Sequence, residues 1–113
     1  VDRLFDALLA IAQAAPAGRT APTIELPEIP RMAVPPRAAF LARKRSLSLE
    51  SAIGQVSGEM VMAYPPGIPF LCPGEVITRY VVQHVRRISK EPSCVVTGMA
   101  DTTLQTIRVL VGD

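Results

Sequence analysis

The sequence holds few of the side chains on which catalysis, metal binding or base reading usually depend. It has one histidine, two cysteines and five aromatic residues. Twelve basic residues are balanced by ten acidic ones, leaving a formal charge of +2 with no block of one sign. With so few rings to stack on bases and no basic tract, nucleic acid is not an expected partner. Cys72 and Cys94 are far apart and lack a second pair or a histidine at ligand spacing. This argues against a zinc site, or any metal, and against a disulfide-stapled secreted scaffold. A reducing cytoplasm fits, with each thiol read as a small buried apolar group. Hydrophobic residues make up 49% of the chain, yet no apolar run approaches membrane-spanning length. The first helix contains Asp2, Arg3 and Asp6, unlike a signal peptide. No membrane association is expected, and no internal repeat or low-complexity tract is present.

Proline is abundant, with eleven in 113 residues, and it organises the chain. Residues 1–15 place Val1, Leu4, Phe5, Leu8, Leu9 and Ala12 on one helical face, ended by Pro16 and Gly18. Because the sequence opens inside this amphipathic helix without a methionine, the helix is expected to link to a large domain absent here. Its stripe, if uncovered, would favour self-association. Residues 16–36 form a proline-rich connector in which Thr23–Leu26 and Arg31–Val34 have room only for brief extended runs. Residues 37–113 are expected to form the domain proper. A short helix is predicted over Pro36–Arg43, and Ser48 is a plausible N-cap for a helix over Leu49–Gly54. Strands are predicted over Gln55–Tyr64 and Ile68–Cys72, and a long helix over Pro73–Lys90. Two β-branched runs, Cys94–Thr97 and Thr106–Val111, are predicted to form a hairpin or to lie side by side. Strands in adjacent groups, without strict alternation with helices, give an α+β class: a small, mostly antiparallel sheet packed by one long helix.

Composition does not account for Glu59 to Thr78. Pro65, Pro66 and Pro69 fix backbone dihedrals around Gly67 and withdraw three amide donors, which makes the segment a stiff, shaped connector. Pro73-Gly74-Glu75 is a second punctuation, read as a helix start because proline is tolerated in a first turn. The order Tyr64-Pro65-Pro66-Gly67-Ile68-Pro69 followed by Pro73-Gly74-Glu75 resembles the signature in the C-terminal domain of the pyridoxal-phosphate-dependent, fold type I ornithine, lysine and arginine decarboxylases. Pro36-Arg37-Ala38-Ala39-Phe40 and Leu49 to Met60 resemble the lead-in of the same family, so the match spans the middle half of the chain in one register. One departure is Ala63, where a proline commonly precedes the tyrosine in that family.

The resemblance implies a part of a larger enzyme. Its chemistry needs a lysine placed directly after a histidine, an acid for the pyridinium proton and a phosphate cradle. Here Lys44 follows Arg43 and Lys90 follows Ser89, His84 has no acid or cysteine partner at catalytic spacing, and no glycine-rich phosphate loop is present. The implied role is therefore non-catalytic: shaping the active-site entrance and supporting assembly of an obligate dimer, a homo-oligomer. The pyridoxal phosphate and its large domain are supplied from outside this chain, and the substrate is a basic amino acid selected by residues elsewhere. A second reading is a stand-alone interaction or regulatory module that keeps the domain without the enzyme. A start codon just before Val1 would favour that module, and a long upstream reading frame would favour the enzyme.

Within this frame Glu59, Tyr64 and Glu75 are candidates for the substrate entrance. A carboxylate there would attract a diamino acid over about 10 Å at ordinary salt. Each also has a structural reading. Glu75 suits a first helical turn through the macrodipole. Glu59, in an apolar strand, would need a partner such as Arg37 or Arg43. Tyr64 has a ring able to pack on Pro65 or Pro66.

Overall fold

The computed structural model describes residues 1–18 and 28–112; the predicted run Thr23–Leu26 lies outside these described residues. The elements are α1 (Asp2–Ala14), α2 (Pro36–Leu41), β1 (Lys44–Ser48), β2 (Val61–Tyr64), β3 (Ile68–Leu71), α3 (Arg79–Ile88), β4 (Val95–Thr97) and β5 (Thr106–Leu110). The class is α+β, as expected, but the antiparallel strands divide into two small sheets, β1-β5 and β3-β2-β4.

The core lies between these sheets and α3. Val81, Val82, Val85 and Ile88 recur at helical spacing and are buried, while Arg79, Gln83 and Arg87 face outward. They join Val61, Phe70, Leu71, Ile77, Ile107 and Val109 in one apolar cluster. Each such side chain contributes about 1.5–3 kcal/mol when fully buried. Alternation in β5, with Ile107 and Val109 buried and Arg108 exposed, sets which face meets this cluster. By contrast every residue of α1 is exposed, including Leu4, Phe5, Leu8, Leu9 and Ile11. Among the described residues no helix is long and apolar enough to cross a membrane.

Three local expectations fail for identifiable reasons. The long helix starts at Arg79, not Pro73: Thr78 is its N-cap, accepting the Val81 amide at 3.2 Å. Residues 73–77 are instead stitched between two other segments. The Gly74 carbonyl accepts the Ala33 and Val34 amides, the Val76 amide donates to Arg31, and the Ile77 amide donates to Gln55. Gly74 sits at φ +95°, and a Cβ there would lie 1.9 Å from the Val34 carbonyl oxygen. Only glycine fits that close approach.

Over Leu49–Gly54 the chain makes successive turns, not a helix. The Ser48 hydroxyl does accept the Ser51 amide at 3.2 Å, so the capping chemistry was legible. Propagation stops because Gly54, at φ +86°, turns its amide to the Ile77 carbonyl. Lastly, β4 and β5 do not pair with each other. β4 lies against β2, and β5 against β1. The Asp101 carboxylate accepts the amides of Thr103, Gln105 and Thr106 and the hydroxyls of Thr103 and Thr106, carrying the chain away between the sheets. Those bonds hold its carboxyl well below the ordinary aspartate range.

Candidate functional site

Residues Pro65, Pro66 and Gly67 form the loop of the β2–β3 hairpin, closed by a 2.8 Å bond from the Gly67 amide to the Ala63 carbonyl. The Tyr64–Pro65 and Pro65–Pro66 peptide bonds are cis. Tyr64 is 61% exposed and its ring lies beside Gly67, within 3.3 Å of where a Cβ on that glycine would stand. Pro65, Pro66, Ile68 and Pro69 are exposed as well. The stiff turn is therefore an outward-facing tip.

The two carboxylates turn inward, to the backbone. Glu59 is 8% exposed. One of its oxygens accepts the Ala100 amide at 2.8 Å and the other the Arg108 amide at 3.0 Å. The expected partners Arg37 and Arg43 are not used. Arg86 instead pairs with Glu50, at 2.9 Å near the surface. A buried carboxylate needs donors but not a countercharge, and two main-chain amides supply them. Glu75 accepts the Cys72 amide at 2.7 Å, closing the turn that contains Pro73 and Gly74. It stands ahead of α3, outside the first helical turn in which the macrodipole reading placed it. Burial, and then the Glu75 charge, push the Cys72 thiol upward.

Ser57 joins the two carboxylate segments and was not singled out from the sequence. Fully buried, it donates its amide to the Glu75 carbonyl, and its hydroxyl bonds both the carbonyl and the amide of Glu59. The only sequence signal was a polar Ser-Gly-Glu step between apolar runs.

His84 packs structurally. Phe70 meets its ring edge-on at 4.7 Å, Tyr80 stacks on it at 5.7 Å, and an Arg87 guanidinium nitrogen approaches Nδ1 at 2.9 Å. Burial, then the Arg87 charge, lower its pKa, so the neutral imidazole is favoured. Neither lysine suits a cofactor Schiff base. The Lys44 ammonium donates to the Phe40 and Ala42 carbonyls, and Lys90 is exposed beyond the end of α3. Lacking an enclosed lysine with an acid partner, the described residues do not fit pyridoxal phosphate. They also contain no group of three or more histidine, cysteine, aspartate or glutamate side chains able to hold a metal.

Fold and site together define a small α+β domain whose Glu59 and Glu75 carboxylates accept main-chain amides and whose proline-glycine tip faces outward. Residues 23–92 match the family described as "Orn/Lys/Arg decarboxylase, C-terminal domain". The chain is 42% identical over 87 residues to an arginine decarboxylase of Bacillus anthracis, covering 77% of this chain and 17% of that protein. With an arginine decarboxylase of Bacillus subtilis it shares 39% identity over 112 residues, covering 96% of this chain and 23% of the relative. A lysine decarboxylase structure from Francisella novicida superposes with a TM-score of 0.58 at 23% identity, over 74% of this chain and 14% of that one, a likeness of fold. The chain belongs to the Orn/Lys/Arg decarboxylase C-terminal domain family, and it spans about a fifth of the length of these curated relatives.

Proposed function

We propose that the chain is the non-catalytic C-terminal domain of a cytoplasmic, pyridoxal-phosphate-dependent decarboxylase of a basic amino acid. In this reading residues 37–113 are the domain, 16–36 a connector, and 1–15 the helix leading toward a large cofactor-binding domain. The domain shapes the active-site entrance with its hairpin tip and supports assembly of a homo-oligomer. The observation that carries this is the family match over residues 23–92 in a chain that covers only 17–23% of its arginine decarboxylase relatives.

Of the signature residues, Tyr64, Pro65, Pro66, Gly67 and Pro69 are available to a neighbouring surface. Pro73, Gly74, Glu75 and Glu59 act indirectly, by holding the hairpin on the body of the domain. Both Glu59 oxygens and one of Glu75 are already engaged by main-chain amides, which favours the structural reading over substrate steering. Absorbance tests the assignment. The purified chain mixed with pyridoxal phosphate is expected to show no cofactor band that survives dialysis, and to release no carbon dioxide from arginine, lysine or ornithine. A stoichiometric band or measurable turnover overturns it.

A further inference from the structure

The strand positions on the outer face of sheet β3-β2-β4 carry no charge, although Glu28 and Glu75 border Pro69 at its edge. Register pairs Tyr64 with Val95, and Met62 with both Pro69 and Thr97. By alternation these five side chains share one face, opposite Ala63 and Val96, which pack toward the core. Tyr64 is 61% and Val95 60% exposed, and Pro69 and Thr97 are exposed too. An antiparallel sheet with one wet side ordinarily turns polar side chains to the water. Here Thr97 supplies the lone hydroxyl besides that of Tyr64, in a chain where 19% of residues are charged.

We propose that this face is where the domain seats on the catalytic remainder of the same polypeptide, with the apolar side chains buried against it and the Pro65-Pro66-Gly67 tip at the rim. The inference rests on the reading given under Proposed function. Size selects the occupant. An untethered dimer typically needs about 20–30 residues a side, and this face offers five. A covalently joined partner makes do with less, because the link holds it at about millimolar effective concentration. In the curated relatives some four-fifths of the chain lies outside the matched stretch, which provides such a partner.

The test replaces the matching segment of the Bacillus subtilis arginine decarboxylase with this chain and compares the chimera with the isolated chain. Tetranitromethane nitration is followed at the two tyrosines, Tyr64 and Tyr80. In the isolated chain Tyr64 is expected to react, and in an active chimera it is expected to lose that reactivity. Val95→Asp, at an exposed edge position, is expected to restore labelling in the chimera while leaving the melting temperature of the isolated chain in place. Pro69→Asp provides an independent second variant on the same face. An active chimera whose Tyr64 labels as fast as in the isolated chain overturns the face and leaves the domain assignment standing. An inactive chimera sinks that assignment and the docking face with it. Protection already present in the isolated chain, and lost on dilution, would show that a second copy is the occupant and refute the proposal.

Discussion

Glu59→Ala removes the carboxylate that links three parts of the fold: the segment ahead of β2, the loop at Ala100, and β5 at Arg108. Two amides that now donate at 2.8 and 3.0 Å lose their acceptor at a site only 8% exposed. Hydrogen bonds to a charged group contribute about 1.5–3 kcal/mol each, so the pair amounts to about 3–6 kcal/mol. A domain of this size is stable by roughly 5–15 kcal/mol, so the variant loses about a fifth of that or more. Glu59→Gln keeps one acceptor oxygen and turns an NH2 toward the other donor, and is expected to lose about half as much. Urea denaturation followed by circular dichroism at neutral pH measures both. The expected order is wild type, then Glu59→Gln, then Glu59→Ala, with the slope against urea unchanged. If Glu59→Ala unfolds within about 1 kcal/mol of the wild type, a range common for exposed sites, the carboxylate is not a structural anchor and the substrate-steering reading returns.

Gly74→Ala forces a Cβ to within 1.9 Å of the Val34 carbonyl at φ +95°. It is expected to cost at least about 2–3 kcal/mol, read as a lowered urea midpoint. Thr78→Ala deletes the cap on α3 and is expected to cost about 1 kcal/mol in the same assay. His84 has a folded pKa below its unfolded value, through burial and the Arg87 charge. Below about pH 6.5 the unfolded chain therefore binds the extra proton. Stability should be full above that pH and fall as pH drops toward the lower folded value. His84→Phe should flatten the profile between pH 8 and 5.5, and an unchanged slope would contradict the packing assigned to this ring.

Elements whose own side chains specify them were legible in the sequence. The apolar stripe of α1, the Pro36 start of α2, and the β-branched runs of β4 and β5 all appear, to within a residue or two, where periodicity, proline and β-branching placed them. What escaped depends on partners distant in sequence. β1 reads Lys-Arg-Ser-Leu-Ser, with one apolar residue, and becomes a strand because β5 offers its edge over five paired positions. The segment from Pro73 to Ile77 reads as a helix start until residues 31–34 and 54–57 claim its backbone groups. Glu59 announced a buried carboxylate, but main-chain donors carry no residue signature, so Arg37 and Arg43 were the visible candidates and Ala100 and Arg108 the real ones. The stiffness of the Pro65–Pro69 connector was legible, because proline and glycine restrict the backbone locally wherever they stand, whereas its closure into a β2–β3 hairpin depends on strand pairing.

The most direct measurement is the rate of carbon dioxide release from arginine by the Bacillus subtilis enzyme in three forms: intact, lacking the segment matched by this chain, and carrying this chain in its place. Deletion is expected to lower kcat/KM, and substitution with this chain to restore a substantial part of it. Equal kcat/KM for the deleted and substituted forms, both folded and holding cofactor, would refute the assignment of this chain as that domain.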